Sequence, residues 1–138
     1  AASDVYKRQH PMRALIDSQN YKHCSHPLIL PLKSLGVEIK KHLKGLDVLD
    51  YGLMLKDGAF KIDEYSTTLS WPLSAAYALS ICTQADAKNI CLAGFDGYEA
   101  YDPRQEEMEQ VIKDYNLLDN AIEISSITPT SYNVKYIK

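Results

Sequence analysis

Residues 89–105, Asn89-Ile-Cys-Leu-Ala-Gly-Phe-Asp-Gly-Tyr98 followed by Glu99-Ala-Tyr-Asp-Pro-Arg-Gln105, decide the fold. Asn89 to Gly94 is a short run whose continuous apolar character fits a strand inside a parallel sheet, and Gly94 lets the chain turn out of it. Asp102-Pro-Arg-Gln105 has the spacing of a capping box. The Asp carboxylate takes an early helical N–H, Pro103 opens the first turn, and Gln105 reaches back. In the helix that follows, Met108, Val111, Ile112 and Tyr115 recur at i, i+3, i+4 and i+7, while Glu106, Glu107 and Glu109 fall outside that stripe on a solvated face. Ala121 to Ile127 is then a β-rich run. Strand, helix and strand in this order make a β-α-β unit.

Toward the amino terminus the alternation continues. Ser70 is placed to N-cap a helix from Trp71 to about Thr83, with Pro72 in its first turn and apolar residues on nearly every side. Before it, Leu46 to Leu55 and Ala59 to Tyr65 flank Lys56-Asp-Gly58, an Asp-Gly turn between two apolar-rich runs and hence a hairpin signal. Leu32, Leu35, Ile39 and Leu43 recur at helical spacing from Leu32 to Lys44, with Lys33, Lys40, Lys41 and Lys44 turned away and Gly45 at the end. Leu28-Ile-Leu30, between Pro27 and Pro31, is a short strand. Pro11 to Asn20 carries a weak helical pattern. Together these predict an α/β chain of Rossmann-like build, with a mainly parallel sheet flanked by helices and one local β-hairpin.

A chain of 138 residues with 46% apolar content supports one packed core, so one domain over residues 10–138 is expected. Ser3 to Gln9 resembles the read-through peptides at the ends of translations from metagenomic assemblies. Residues 1–9 are therefore set apart as a non-native leader, and the chain is expected to be a fragment. A formal charge of −3 gives no reason to expect nucleic acid as a partner. Cys24, Cys82 and Cys91 are odd in number and lack short paired spacing, which argues for free thiols in a reducing, cytoplasmic setting. No stretch approaches the roughly 20 apolar residues of a membrane span.

Ligands of open α/β sheets bind where strands deliver loops at their carboxyl ends. Three segments meet that description. In Gly94-Phe-Asp-Gly97 the glycines permit tight turns and close backbone approach, leaving Asp96 either to meet a ligand or to bond its own turn. In Ser66-Thr-Thr-Leu-Ser70, the hydroxyls of Thr67, Thr68 and Ser70 precede a helix whose free N–H groups suit an anion, although ordinary capping explains Ser70 equally well. In the third, Thr128, Thr130, Ser131, Tyr132 and Asn133 offer hydroxyls, a ring and an amide to a sugar or a base, or form a plain terminal loop. A single ligand site requires Asp96, Thr67 and Thr130 to converge on one cleft.

His23-Cys-Ser-His26 holds soft metal ligands, but no fourth ligand is spaced to complete a zinc site, and no metal or other cofactor is required by the sequence. The G-x-S-x-G elbow, the G-x-x-x-x-G-K-[ST] loop and the G-x-G-x-x-G fingerprint do not occur, which removes the sequence case for standard serine hydrolases, P-loop NTPases and dinucleotide enzymes.

Ile90 to Tyr98, Asp102 to Met108 and Ile127 to Asn133, with His10-Pro-Met-Arg13 and Asp50-Tyr-Gly52, give the chain a family likeness. It resembles the carboxyl-terminal domain of bacterial aldolase-like proteins. Their amino-terminal barrel is similar to 4-hydroxy-2-oxovalerate aldolase and hydroxymethylglutaryl-CoA lyase, and they are often associated with surface-polysaccharide synthesis. The metal-binding H-x-H and the arginine signature of that barrel are absent, so the resemblance implies an attached aldolase domain rather than lyase chemistry in this chain. Ser66 to Ile81 followed by Asn89 to Tyr98 also resembles, at fold level, bacterial sialyltransferases that use CMP-sugars. That likeness implies nucleotide contacts for Thr67, Thr68 and Ser70 and a sugar pocket lined by Asp96 and Tyr98, yet no counterpart of the family's catalytic histidine is present.

The expected function is an accessory domain that binds a nucleotide or a sugar beside an aldolase. The alternatives are a glycosyltransferase-like enzyme with Asp96 as the catalytic carboxylate, Gly94, Gly97 and Tyr98 at the ligand, and loop hydroxyls on the phosphates, or a scaffold domain for oligomer assembly.

Overall fold

A computed structural model of the chain describes residues 14–137. The leader at residues 1–9 and His10-Pro-Met-Arg13 lie outside the described residues. The fold is α/β, with parallel strands, helices packed against sheets and a local β-hairpin. Contacts group the chain into two compact units, one ending at Gly52 and one running from Leu53 to Lys138.

The first unit opens with helical residues 14–18 (α1). Strand β1 (Leu28–Leu30) pairs in parallel with β2 (Val48–Asp50), Leu28 opposite Val48 and Leu30 opposite Asp50, and α2 (Val37–His42) makes the crossover. The single helix expected from Leu32 to Lys44 is in fact two pieces, a 3-10 turn over Leu32–Ser34 and then α2. Gly36 separates them in an extended conformation, φ −64° and ψ 158°, because glycine favours helix interiors least among residues other than proline and serves readily at an N-cap. Gly45 leaves the helix end at φ +82°, as its position predicts. Ser18 Oγ lies 2.7 Å from the Leu15 carbonyl and 2.7 Å from His42 Nδ1, and the second hydrogen bond ties α1 to α2.

The second unit begins within β3 (Gly52–Leu55), which forms a sheet with β4 (Phe60–Ile62) and β5 (Ser66–Leu69) in the order β3-β5-β4. The Lys56-Asp-Gly58 turn forms, with Gly58 at φ +69° and the Ala59 N–H donating to the Lys56 carbonyl. The strands on either side of it do not pair with each other. β5 lies between them, and the hairpin is β4 with β5, Phe60 opposite Leu69 and Ile62 opposite Thr67, closed where Asp63 N–H meets the Ser66 carbonyl. Buried Leu69 explains the preference, since β5 carries the side chains that the core requires in the middle of the sheet.

Helix α3 spans Ser74–Gln84 with Leu73 at its N-cap, not Trp71 to Thr83 with Ser70. Trp71 precedes a proline, which disfavours helical geometry there, and the Ser70 hydroxyl instead donates to the Ala59 carbonyl at 3.1 Å. Strand β6 (Ile90–Leu92) pairs in parallel with β7 (Ile124–Ser126), Ile90 opposite Ile124 and Leu92 opposite Ser126, through α4 (Pro103–Asn116). A third parallel strand, β8 (Lys135–Tyr136), joins the far side of β7. Its two residues are too few to show a periodicity in sequence.

Met108, Val111, Ile112 and Tyr115 of α4 are all buried, as their spacing predicts, against Leu69, Ala76, Leu79, Ile90, Leu92 and Ile124. Each large side chain contributes about 1.5–3 kcal/mol through removal from water. Tyr115, with no exposed surface, also closes a polar chain. Thr83 donates to the Leu79 carbonyl at 2.8 Å, Tyr115 donates to Thr83 at 2.6 Å, and the Ile122 N–H donates to the Tyr115 oxygen at 3.0 Å. Tyr115→Phe leaves the Ile122 N–H without that acceptor and should cost about 1–3 kcal/mol. Urea denaturation reads the cost directly, and an unchanged midpoint with unchanged slope would contradict this account of the core.

Candidate functional site

The site is built where β6 and β7, as parallel neighbours, release their loops at the same end of the sheet. Three successive cross-links fasten the loops together. The Gly94 N–H donates to Thr128 Oγ1 at 2.9 Å, Thr130 Oγ1 donates to the Phe95 carbonyl at 2.5 Å, and the Ser131 N–H donates to the Asp96 carbonyl at 2.9 Å. Thr130 Oγ1 also accepts the Tyr132 N–H at 3.2 Å. The hydroxyls of Thr128 and Thr130 thus hold the loops in place. Gly94, at φ +72°, and Gly97, at φ +106°, supply backbone conformations that other residues rarely adopt.

The amino-terminal turn of α4 forms the third side. Asp102 caps the helix by accepting the Arg104 N–H at 2.9 Å and grips the Arg104 guanidinium with both oxygens, at 3.0 and 2.6 Å. Those contacts, the side-chain hydrogen bond first, hold the Asp102 carboxyl below the ordinary carboxylate value. Arg104 in turn lies 4.3 Å from the centre of the Tyr98 ring, a cation–π contact. Gln105 does not complete the capping box. Its Oε1 accepts the Tyr98 N–H at 2.8 Å, and its Nε2 reaches Glu109 at 2.6 Å and Ser131 at 3.1 Å. The glutamine is more useful joining both loops to the helix than satisfying an Asp102 N–H that already donates to the Glu99 carbonyl.

Among the expected site residues, Asp96, Gly94, Gly97, Tyr98, Thr128, Thr130, Ser131, Tyr132 and Asn133 are gathered here. Asp96, Ser131 and Asn133 are exposed, and Tyr98 is half-exposed. The Ser66 to Ser70 segment does not join them. It is a strand rather than a turn before a helix, because its hydroxyls are needed inside. Thr67 is fully buried, 2.9 Å from the Lys61 carbonyl and 2.8 Å from Ser80 Oγ, and Thr68 is buried too. A side chain without exposed surface lines no cleft, so Thr67 does not converge with Asp96 and Thr130. Asp102, Arg104, Gln105 and Glu109 are site residues that sequence reasoning treated only as a cap and a solvated face. The signal lay in the density of paired polar residues around the capping aspartate.

In the first unit, Cys24 and His26 border a pocket of about 110 Å³ together with Tyr21 and Asp47. Burial, then the charges of Asp17 and Cys24, raise the Tyr21 phenol above its usual value. Among the described residues, no three His, Cys, Asp or Glu side chains are grouped to hold a metal ion, and no helix is long and apolar enough to cross a membrane.

The chain matches no family model, no curated protein and no solved structure.

A Cβ at Gly97 would overlap Ser131 Oγ and stand 3.0 Å from Gln105 Oε1. Gly97→Ala should therefore cost about 1–3 kcal/mol and shift the Ser131 and Gln105 amide resonances, because the backbone conformation is strained for any side chain. A variant with wild-type melting and wild-type spectra would refute the geometry. The Asp102 contact also has a definite pH sense. With the folded carboxyl depressed, its contribution is present above the unfolded value of 3.8 and is lost as pH falls through the lower folded value. The Arg104 Nε–H resonance should survive acidification past the ordinary carboxylate value, and its loss above that point would show that the pair does not form.

Proposed function

We propose that this chain is an accessory ligand-binding domain that takes a nucleotide or a sugar at the loops following β6 and β7, and that it serves an aldolase-type protein of surface-polysaccharide synthesis. The observation that carries the ligand-binding part is the cross-linked loop pair. The hydroxyl groups of Thr128 and Thr130 are engaged in bonds between the loops, while the Asp96 carboxylate and Asn133 amide, exposed at the surface, make no side-chain hydrogen bond among the described residues. Fixed loops presenting uncommitted polar groups meet the requirement for orienting a small ligand without reorganisation. The link to an aldolase and to polysaccharide synthesis rests on the sequence resemblance alone.

The same Asp96 favours a second reading, a glycosyltransferase-like enzyme in which this carboxylate orients or deprotonates an acceptor hydroxyl. Burial of Thr67 and Thr68 removes the hydroxyls that would hold the nucleotide phosphates, which ranks this reading second.

A thermal-shift screen of the chain against CMP, other nucleotides, nucleotide sugars and small 2-oxo acids tests the proposal. Saturation a hundredfold above Kd stabilises the fold by about 2.7 kcal/mol. Binding of a nucleotide or nucleotide sugar, weakened by Asp96→Asn, is the expected result. Turnover of a nucleotide sugar that disappears in Asp96→Asn would move the assignment to the transferase. A response to none of the nucleotides or sugars would overturn both.

A further inference from the structure

Tyr132 is the one strongly buried member of the loop cluster, only 6% exposed, and its ring belongs to the core that includes Met108, Ile112 and Leu92. Its hydroxyl makes no hydrogen bond among the described residues. Yet no side-chain oxygen or nitrogen enclosed from solvent lacks a partner in the described structure, so the hydroxyl must open outward. Its electrostatic neighbours are Tyr98, Glu109 and Asp102. The ring is thus held in the core while its oxygen reaches solvent near Tyr98, Glu109 and Asp102, a donor and acceptor open to a ligand.

The charges around it select what it bonds. Asp96, Asp102 and Glu109 surround the loops, and the guanidinium of Arg104 is held by both oxygens of Asp102. A phosphate or carboxylate brought here would meet uncompensated negative charge. A neutral polyol would not, and carboxylates are good acceptors for its hydroxyls. The Tyr98 ring, 44% exposed and carrying Arg104 against it, adds a flat amphipathic surface beside the acidic groups. Resting on the ligand-binding reading above, we infer that the group recognised at this site is an uncharged sugar ring, with the Tyr132 hydroxyl and the Asp96 carboxylate as its principal hydrogen-bonding partners. Burial, with the neighbouring Tyr98, Glu109 and Asp102, raises the Tyr132 phenol and keeps it protonated as a donor.

The experiment is a ¹H–¹⁵N NMR titration of the full chain with four probes: a neutral hexose or N-acetylhexosamine, N-acetylneuraminic acid, CMP, and a nucleotide sugar carrying the neutral hexose. The expected result is that the neutral sugar moves the Gly94, Gly97, Ser131 and Tyr132 amides, and that CMP and the acidic sugar leave them in place. A nucleotide sugar moving the same amides with an affinity similar to that of the free sugar identifies the sugar ring as the recognised part in either source. Tyr132→Phe should weaken the neutral sugar by roughly three- to tenfold, the usual worth of one hydrogen bond. Asp96→Asn, at an exposed position, provides a second variant if the first disturbs the core. If CMP moves these amides and the neutral sugar does not, the inference fails while the binding domain stands. If no probe moves them, both fail. Unchanged affinity in Tyr132→Phe and in Asp96→Asn alike overturns the assigned contacts.

Discussion

The parallel pairing of β6 with β7 is the constraint on which the second unit depends. Parallel neighbours emit their loops at the same end, so Gly94 to Tyr98 and Thr128 to Asn133 are adjacent before any side chain is considered. The pairing exists because α4 can carry the chain back across the sheet, burying Met108, Val111, Ile112 and Tyr115 on the way. The same helix begins with Asp102, Arg104 and Gln105, so the element that makes the crossover also supplies a wall of the site. Core packing and the wall of the candidate site share one element here, with the apolar stripe facing the core and the amino-terminal turn facing the loops.

That economy has a consequence for the hydroxyl-bearing residues. Threonine and serine near a strand end suggest ligand contacts, but the backbone engages their oxygens first, as donors or as acceptors. Thr128 and Thr130 hold carbonyl and amide groups of the opposite loop, Ser126 donates to the Thr128 carbonyl at 2.6 Å, and Thr67 sits at the carbonyl of β4. Unpaired backbone groups in such loops would be costly, so these bonds stabilise the site instead of filling it with ligand donors. What remains for chemistry is the set that the backbone does not need, chiefly the side chains of Asp96, Asn133 and Tyr132.

Much of this was legible in the residues. The apolar run Ile90 to Leu92, the capping aspartate at Asp102, the buried stripe of α4 and the positive φ of Gly45 and Gly94 all follow from local rules, because each depends on neighbours within a few positions. The failures share a cause. Ser66 to Ser70 looks like a hydroxyl-rich turn until β5 is seen as the middle strand of its sheet, and strand order is a property of distant partners. The Asp-Gly turn at Gly58 was legible, but the pairing of its flanking strands was not, since β5 comes later in the chain and enters between them. Gln105 obeyed the spacing of a capping box and then bonded Tyr98, Glu109 and Ser131, one of them on the loop after β7.

By itself, then, the amino-acid sequence determined the α/β class, the β-α-β order around α4, the glycine turns and the location of polar loops at strand ends, because periodicity, capping and turn chemistry act over a few residues. Tertiary structure alone decided which hydroxyls are consumed inside the fold, that Tyr132 stands in the core with its oxygen turned outward, and that α4 contributes its first turn to the site. Those outcomes depend on competition among residues far apart in sequence for the same protons and the same buried space, which no local pattern records.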